Sequence, residues 1–442
     1  MREVTLEEML RTREERVIRQ AEFLSLHKCP LICFTMNIAG PVKCSPLIER
    51  AFYEGVRLLK TSLPQKKIKA RKIEACHTGC EMLIAINEDS AVLKELCTKI
   101  EEATPLGRLF DMDVIDQNGE KLTRKKERCC IVCGAEGRGC SARRLHSISK
   151  LREVTQKIIC DYFKEADREK LADLATQSLI KEARTTPKPG LVDMDNNGSH
   201  KDMDLDMFIK SAHALTPYFK KCIEIGQNYA EYPDEVFQKL RQEGLLAEQA
   251  MYEATGGINT HKGAIYSMGI ICGALGCLWS AEKEVLRADE IFSMCSRISK
   301  EAVKDDFQSI DYSTAGGRLY LEKGIRGIRG EAAEGFPSLK NIGLPALKKA
   351  LSEGFSENTA GVFALLHLIG NVEDTNILSR GGEEGSVFAK SAARELLSNP
   401  PFHDLNEVRD LDKRFIEKNL SPGGCADLLA VTYFIHEITN EL

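Results

Sequence analysis

The sequence has little with which to read nucleic acid. Aromatics make up 6% of its 442 residues, tryptophan occurs once, and no block of five like charges appears. A stacking surface and a basic tail are therefore both missing, and no nucleic-acid partner is expected. Long apolar runs are scarce too. The longest uncharged stretch, the 19 residues from Gly263 to Ala281, is near bilayer-spanning length. However, Gly263, Gly269, Gly273 and Gly276 dilute it and Tyr266 and Ser267 interrupt it, so a tightly packed buried helix is expected and no membrane partner. Met1-Arg2-Glu3 leads into a charged helical pattern without the apolar core of a signal peptide. The 16 cysteines then read as reduced thiols or metal ligands of a cytoplasmic protein, not as disulfides. There is no P-loop, no G-x-G-x-x-G before a helix, no kinase motif set and no internal repeat. A bound nucleotide would need a less common cradle.

What is present is an ordinary globular composition, 43% hydrophobic and 29% charged, on a chain long enough for two domains or three. The charge is unevenly spread. Residues 1–152 hold 28 Lys+Arg against 21 Asp+Glu, whereas the remainder holds 33 against 45, and eleven cysteines precede Ala166. Different partners for the two halves follow from this asymmetry.

Apolar spacing over the first 150 residues mixes helices with strands at Leu31–Ile38, Glu81–Ile86 and Leu109–Ile115, and Asn118-Gly119 supplies a hairpin turn. That makes an N-terminal α/β or α+β domain over 1–152. A connecting helix is expected over 153–164. From 165 to 442, helix-length apolar patterns alternate with Gly- and Pro-bearing loops, which predicts a larger all-α domain.

Within the first domain, Phe110-Asp111-Met112-Asp113-Val114 places two carboxylates on one face of a strand and the apolar residues on the other. Adjacent carboxylates suit Mg²⁺ shared with substrate phosphates, the chemistry of nucleotidyl transfer. A solvent-facing strand edge is the plainer reading. Cys130-x2-Cys133-x6-Cys140-x5-His146 offers a candidate zinc set, with Cys129 as a competing thiol and Arg128, Arg138, Arg143 and Arg144 nearby.

In the second domain, Thr186-Pro187-Lys188-Pro189-Gly190-Leu191-Val192-Asp193 forms a stiff loop, followed closely by Asn196, His200 and Asp202. Asn259-Thr260-His261-Lys262-Gly263 opens the glycine-rich helix, where backbone N–H groups and a lysine suit an anion. Gly327–Pro337 carries Arg329, Glu331 and Glu334; Asp374-Thr375-Asn376 and Ser379-Arg380-Gly381-Gly382 form a further polar loop. Helix caps and turns would explain each of these singly.

Asn37-Ile38-x-Gly40-Pro41-x-Lys43, the Gly107–Val114 segment and the Cys130–His146 cluster together resemble the apo-citrate lyase phosphoribosyl-dephospho-CoA transferase family. The ordered set Thr186–Asp193, Thr255–Gly263, Gly327–Pro337, Asp374–Gly382 and Asn419–Leu429 resembles triphosphoribosyl-dephospho-CoA synthases. These resemblances imply a bifunctional transferase whose first domain is of nucleotidyltransferase type. The second half would join ATP to 3′-dephospho-CoA with loss of adenine. The first would pass the phosphoribosyl-dephospho-CoA to a serine of the citrate lyase acyl carrier protein (the gamma subunit) with loss of pyrophosphate.

The implied roles are specific. Lys188, Asn259, Lys262, Arg329, Arg380, Gly381 and Gly382 hold ATP and dephospho-CoA, with Mg²⁺ on some of Asp193, Asp202 and Asp374. Asp374 or Glu331 is the base at the ribose, and His261 the acid near the purine. In the first domain Asp111 and Asp113 hold Mg²⁺ while Arg108, with Arg143 as a second candidate, neutralises developing charge. Two rivals stand beside this assignment. One is a zinc-bearing nucleic-acid-binding module fused to a nucleotide-sensing helical domain; in the other, the helical domain resembles an ADP-ribose hydrolase.

Overall fold

The computed structural model describes residues 2–124, 127–135, 139–140, 143–282, 286–310, 312, 315–398 and 405–441. Contacts divide the chain into two compact units, Met1–Glu165 and Ala166–Leu442.

The first unit contains helices α1 (Leu6–His27), α2 (Pro46–Ser62) and α3 (Ser90–Ala103). Its strands are β1 (Leu31–Met36), β2 (Ile68–Cys76), β3 (Gly79–Ile86) and β4 (Phe110–Ile115). The sheet order is β2-β3-β1-β4 with every pairing antiparallel, so the architecture is α+β. On one face Leu31, Cys33, Leu83, Ala85 and Ile115 pack against Phe23 and Leu24 of α1. On the other, Phe34 stacks on Phe52 of α2 at 4.9 Å between centroids and meets Phe110 edge-on at 5.3 Å. That contact requires Gly55, since a Cβ there would lie 2.4 Å from the Phe34 ring. Strand β4 is an edge strand and would leave backbone N–H groups unpaired. The buried Glu101 side chain of α3 takes one of them, accepting from Met112 N at 2.7 Å. After Gly119 the chain returns only as an isolated bridge between Ile115 and Lys121, not as a full strand.

The expected connecting helix is the first half of a longer one. Helix α4 (Ile148–Arg184) runs 37 residues without interruption. The second unit then comprises α5 (Leu205–Ala214), α6 (Thr216–Tyr229), α7 (Pro233–Ala254), α8 (Lys262–Leu278), α9 (Ala288–Gln308), α10 (Ala315–Lys323), α11 (Gly327–Ala333), α12 (Leu344–Ser352), α13 (Glu357–Asn371), α14 (Thr375–Ser398), α15 (Asn406–Glu417) and α16 (Gly423–Glu441). Among its described residues there is no strand. The apolar pattern over 205–230 is two helices, divided at Leu215, where Thr216-Pro217 starts the second. The glycines of α8 bring it against α6: a Cβ on Gly226 would sit 2.0 Å from Gly273 O, and one on Gly276 2.2 Å from Ile223 O. No helix among the described residues is long and apolar enough to cross a membrane.

Candidate active sites

In the first unit, β4 alternates as buried Phe110, open Asp111, buried Met112, half-buried Asp113 and buried Val114. Register against β1 sets Asp111 opposite Thr35 and Asp113 opposite Cys33, which places the two carboxylates on one face of the sheet. Both line a cavity of about 1360 Å³ together with Arg108, Lys94, Lys121 and Arg128. Asp113 pairs with Lys121 at 2.5 Å. Partial enclosure by the cavity walls, with the Asp113 charge beside it, pushes the Asp111 carboxyl above the ordinary carboxylate range even though the residue keeps an open edge. A cation shared by the two would relieve that repulsion. Arg108 donates to Cys129 O, and Arg124 and Arg128 both pair with Glu101, which ties the cavity wall to α3. Sequence reasoning missed Lys94 and Glu101. Both sit on α3, and only the fold brings that helix alongside β4. Arg143 is exposed and outside the lining, and Arg138 lies outside the described residues.

In the second unit a cavity of about 1020 Å³ gathers most of the polar loops. Its anchor is Lys188, 2% exposed, whose ammonium donates to Glu182 O at 2.8 Å and to Glu182 Oε1 at 2.5 Å. The loop carrying it is closed by Asp193, which accepts from Lys188 N at 2.8 Å, Asp195 N at 2.7 Å and Asn196 N at 3.1 Å. Asp412 of α15 fastens the same loop through Gly190 N and Asn196 Nδ2, each at 2.8 Å. Asp193 is therefore a loop staple and does not line the cavity, and the exposed Asp202 does not reach it either. Neither fits the metal role expected of it.

Asp374 does line the cavity, 3% exposed. It accepts from Asn376 N at 2.8 Å and Ile377 N at 3.2 Å at the start of α14, and from Cys425 N at 2.8 Å at the start of α16. Burial pushes its carboxyl above the ordinary range against the pull of these three N–H groups, which fix both oxygens in place. Glu331, the other carboxyl expected near the ribose, also lines the cavity and is held by a single residue. Ser338 donates to it through its hydroxyl at 2.5 Å and its N–H at 3.1 Å, and burial pushes its carboxyl up.

Glu182 is a cavity carboxylate that sequence reasoning passed over, and Asp427, seen there only as part of the loop before the last helix, is another. A Cβ at Gly263 would meet Asp427 Oδ2 at 2.0 Å, so the glycine opening α8 makes room for this acid. The visible signals were the Gly423-Gly424 pair before Asp427 and the nearness of Glu182 to the Pro-rich loop.

The cationic set is partly rearranged. Arg380 lines the cavity and donates to Ser199 O at 3.1 Å and His200 Nδ1 at 3.3 Å, while His200 Nε2 meets Ser421 Oγ at 2.8 Å. Lys262 reaches Glu248 at 2.8 Å, and Asn259 Oδ1 accepts Lys262 N at 3.2 Å as a helix cap at the cavity rim. Arg329 is misplaced by the sequence reading. It points into a neighbouring cavity of about 470 Å³, near Asp306, and Arg326 of the same segment takes the main cavity instead. Gly381 and Gly382 do not line the cavity: Gly381 packs on Leu420, and Gly382, at φ 62°, breaks α14.

His261 is 3% exposed, with Nδ1 2.8 Å from Ser211 Oγ. Thr260 donates to Ser211 at 2.8 Å, which assigns the serine proton to His261 Nδ1 and leaves the hydrogen on Nε2, a buried atom with no partner among the described residues. Burial, with the Lys188 charge adding to it, pushes this imidazole down to about 3. The expected protonated acid is thus a neutral N–H donor at neutral pH. Below about 6.5 the unfolded chain binds a proton that the folded chain refuses. Stability should therefore fall as pH drops from about 6.5 towards about 3, by up to about 1.4 kcal/mol per unit. Urea denaturation at stepped pH checks this: His261→Gln should flatten that slope, and an unchanged slope would refute the assignment.

Comparison with known proteins follows the same division. The family model for ATP:dephospho-CoA triphosphoribosyl transferase matches residues 168–442, and that for apo-citrate lyase phosphoribosyl-dephospho-CoA transferase matches residues 4–162. A CitXG protein of Haemophilus influenzae is 35% identical over 453 aligned positions, covering 98% of this chain and 96% of its own. A second, from Leuconostoc mesenteroides subsp. cremoris, is 29% identical across 99% of this chain and 98% of its own. A 2-(5″-triphosphoribosyl)-3′-dephosphocoenzyme-A synthase of Pectobacterium atrosepticum is 38% identical over 65% of this chain and 95% of its own.

Proposed function

The chain belongs to the family in which an apo-citrate lyase phosphoribosyl-dephospho-CoA transferase is fused to an ATP:dephospho-CoA triphosphoribosyl transferase, and from that premise we propose how each unit works. It is a bifunctional transferase of citrate lyase prosthetic group biosynthesis. The near full-length match to fused relatives carries this reading, and it disfavours both the nucleic-acid module and the ADP-ribose hydrolase-like alternative. The reactions are assigned to the cytoplasm, with the gamma-subunit carrier protein as the macromolecular substrate.

In the second unit, ATP and 3′-dephospho-CoA occupy the cavity above the Lys188–Glu182 pair. Its lining carries Glu182, Glu331, Glu334, Glu373, Asp374 and Asp427 against Lys188, Lys262, Arg326 and Arg380. Acids exceed bases, so a triphosphate enters this wall with a divalent cation, for which Asp374 and Asp427 are the fitting donors. Mg²⁺ there would neutralise phosphate charge. Arg380 and Lys262 orient the phosphates. Glu331 takes the proton of the dephospho-CoA ribose hydroxyl as its oxygen bonds to the anomeric carbon of ATP. The carbon–nitrogen bond to adenine breaks with its electron pair leaving on the purine, which His261 Nε2–H receives as a hydrogen-bond donor. The departing adenine finally carries the proton removed from the hydroxyl.

In the first unit, Asp111 and Asp113 are the donors for Mg²⁺, which would polarise the α-phosphate. The carrier serine oxygen bonds to the α-phosphorus, pyrophosphate departs, and Arg108 and Arg128 balance the charge that develops. Incubating the full chain with ATP, 3′-dephospho-CoA and the apo carrier protein should release adenine and pyrophosphate in equal amounts. Mass spectrometry should show the carrier gaining one phosphoribosyl-dephospho-CoA. Release of ADP or AMP without adenine, or an unmodified carrier, would overturn the assignment.

A further inference from the structure

We propose that Cys130, Cys133, Cys140 and His146 bind one structural zinc ion that fixes the arginine-bearing wall of the first unit's cavity. The ligand atoms of these four residues all lie within 4.8 Å of one another, the one such group among the described residues. A tetrahedral zinc with sulfur at about 2.3 Å and nitrogen at about 2.0 Å has ligand–ligand edges of roughly 3.4–3.8 Å. The Cys133 and Cys140 sulfurs stand 3.5 Å apart, on such an edge and far from the ~2.05 Å of a disulfide.

The backbone is shaped to deliver these ligands. Val132 N approaches the Cys130 sulfur at 3.4 Å, Gly134 N donates to Cys130 O at 3.0 Å, and Cys130 N donates to Ala135 O at 2.6 Å. Gly134, at φ 74°, turns the chain back so that the first two thiols converge. Leu145 N donates to Cys140 O at 3.1 Å, after Arg144 adopts the left-handed φ of 51° that returns His146 to the group. His146 Nε2 is buried with no hydrogen-bond partner among the described residues, a polar cost that a metal bond would remove. Cys129, the competing thiol, is exposed and outside the cluster.

Four protein ligands make a closed site, so the metal holds structure rather than binding substrate. Its reach into function is through its neighbours. Cys129 O accepts from Arg108, and Cys129, Cys130, Cys140 and His146 form part of the cavity wall beside Asp111 and Asp113. The site stands apart from the proposed reactions and fails or survives independently of them.

Metal analysis of the full chain, purified without a metal-affinity step, should find one zinc per chain. Blocking thiols with an organomercurial should release it to a chromophoric chelator. Cobalt(II) exchanged into the protein should show thiolate charge-transfer bands and the intense visible bands of a tetrahedral site. Cys133→Ser and His146→Ala should each lose the zinc, while Cys76→Ser, at an exposed thiol outside the cluster, should keep it. Should a variant fail to fold, the wild-type stoichiometry and cobalt spectrum still decide. Wild-type protein with native helical circular dichroism and less than a tenth of an equivalent of zinc would overturn the proposal. So would full zinc retention in a folded Cys133→Ser protein.

Discussion

Asp111→Asn is expected to abolish carrier modification while adenine release continues at the wild-type rate. Asparagine keeps the size and the β4 register opposite Thr35 but removes one of the two charges that hold a divalent cation in the first cavity. Losing a preorganised charge-stabilising group typically slows a transfer by ~10²-fold or more. Stability should move the other way. The Asp111 carboxyl is held above its ordinary range by partial enclosure in the cavity and by Asp113, so its ionised form costs the folded state a little free energy at neutral pH, discounted by its open edge. The neutral amide carries no such cost, and the variant should be as stable as the wild type or more so. Mass spectrometry of the carrier and chromatography of free adenine report the two steps separately. Loss of both, or undiminished carrier modification, would contradict two independent sites.

How much of this was visible in the chain depended on whether the signal was periodic or only spatial. Asp111 and Asp113 were legible because period-2 alternation on a strand needs no tertiary information. The glycines of α8 likewise announced close helix packing, and Gly226–Gly273 supplies it. Strand β2, Ile-Lys-Ala-Arg-Lys-Ile-Glu-Ala-Cys, went unseen because it is an edge strand with no buried residue, its apolar side chains broken up by Lys69, Arg71, Lys72 and Glu74. Arg329 was assigned to the wrong cavity for a related reason. Arg326 sits at the N-cap of α11 and Arg329 in its first turn, and the two could be distinguished only once α9 supplied Asp306. Arg380 kept its place, but the Gly381-Gly382 pair after it serves packing and a helix break, not phosphate approach. Glu182 and Asp427 lie 245 residues apart and meet only through the cavity, beyond the reach of any local pattern.

The buried pair at that cavity should give the largest stability effect in the molecule. Lys188→Met removes the one cation bonded to Glu182 among the described residues, and that carboxyl is already raised by burial and stands near Asp193 and Asp427. Breaking a buried pair from one side typically costs about 3–5 kcal/mol. The pH dependence identifies the cause. With its folded-state pKa above the unfolded value, Glu182 destabilises the fold while ionised, so the variant should regain stability as pH falls and the acid takes up a proton. Glu182→Gln/Lys188→Met should recover most of the loss, since an amide against a thioether leaves no uncompensated charge. Activity should not follow. Glu182 accounts for two of the three Lys188 ammonium hydrogens, and Lys188 lines the cavity where a phosphate would take the third. A refolded double variant that has lost adenine release therefore assigns Lys188 to phosphate binding. One that unfolds like wild type and releases adenine at the wild-type rate makes the pair purely structural. Urea denaturation of the two variants across pH, read beside adenine release, separates these outcomes, and less than about 1 kcal/mol of destabilisation in Lys188→Met would refute the buried-charge argument itself.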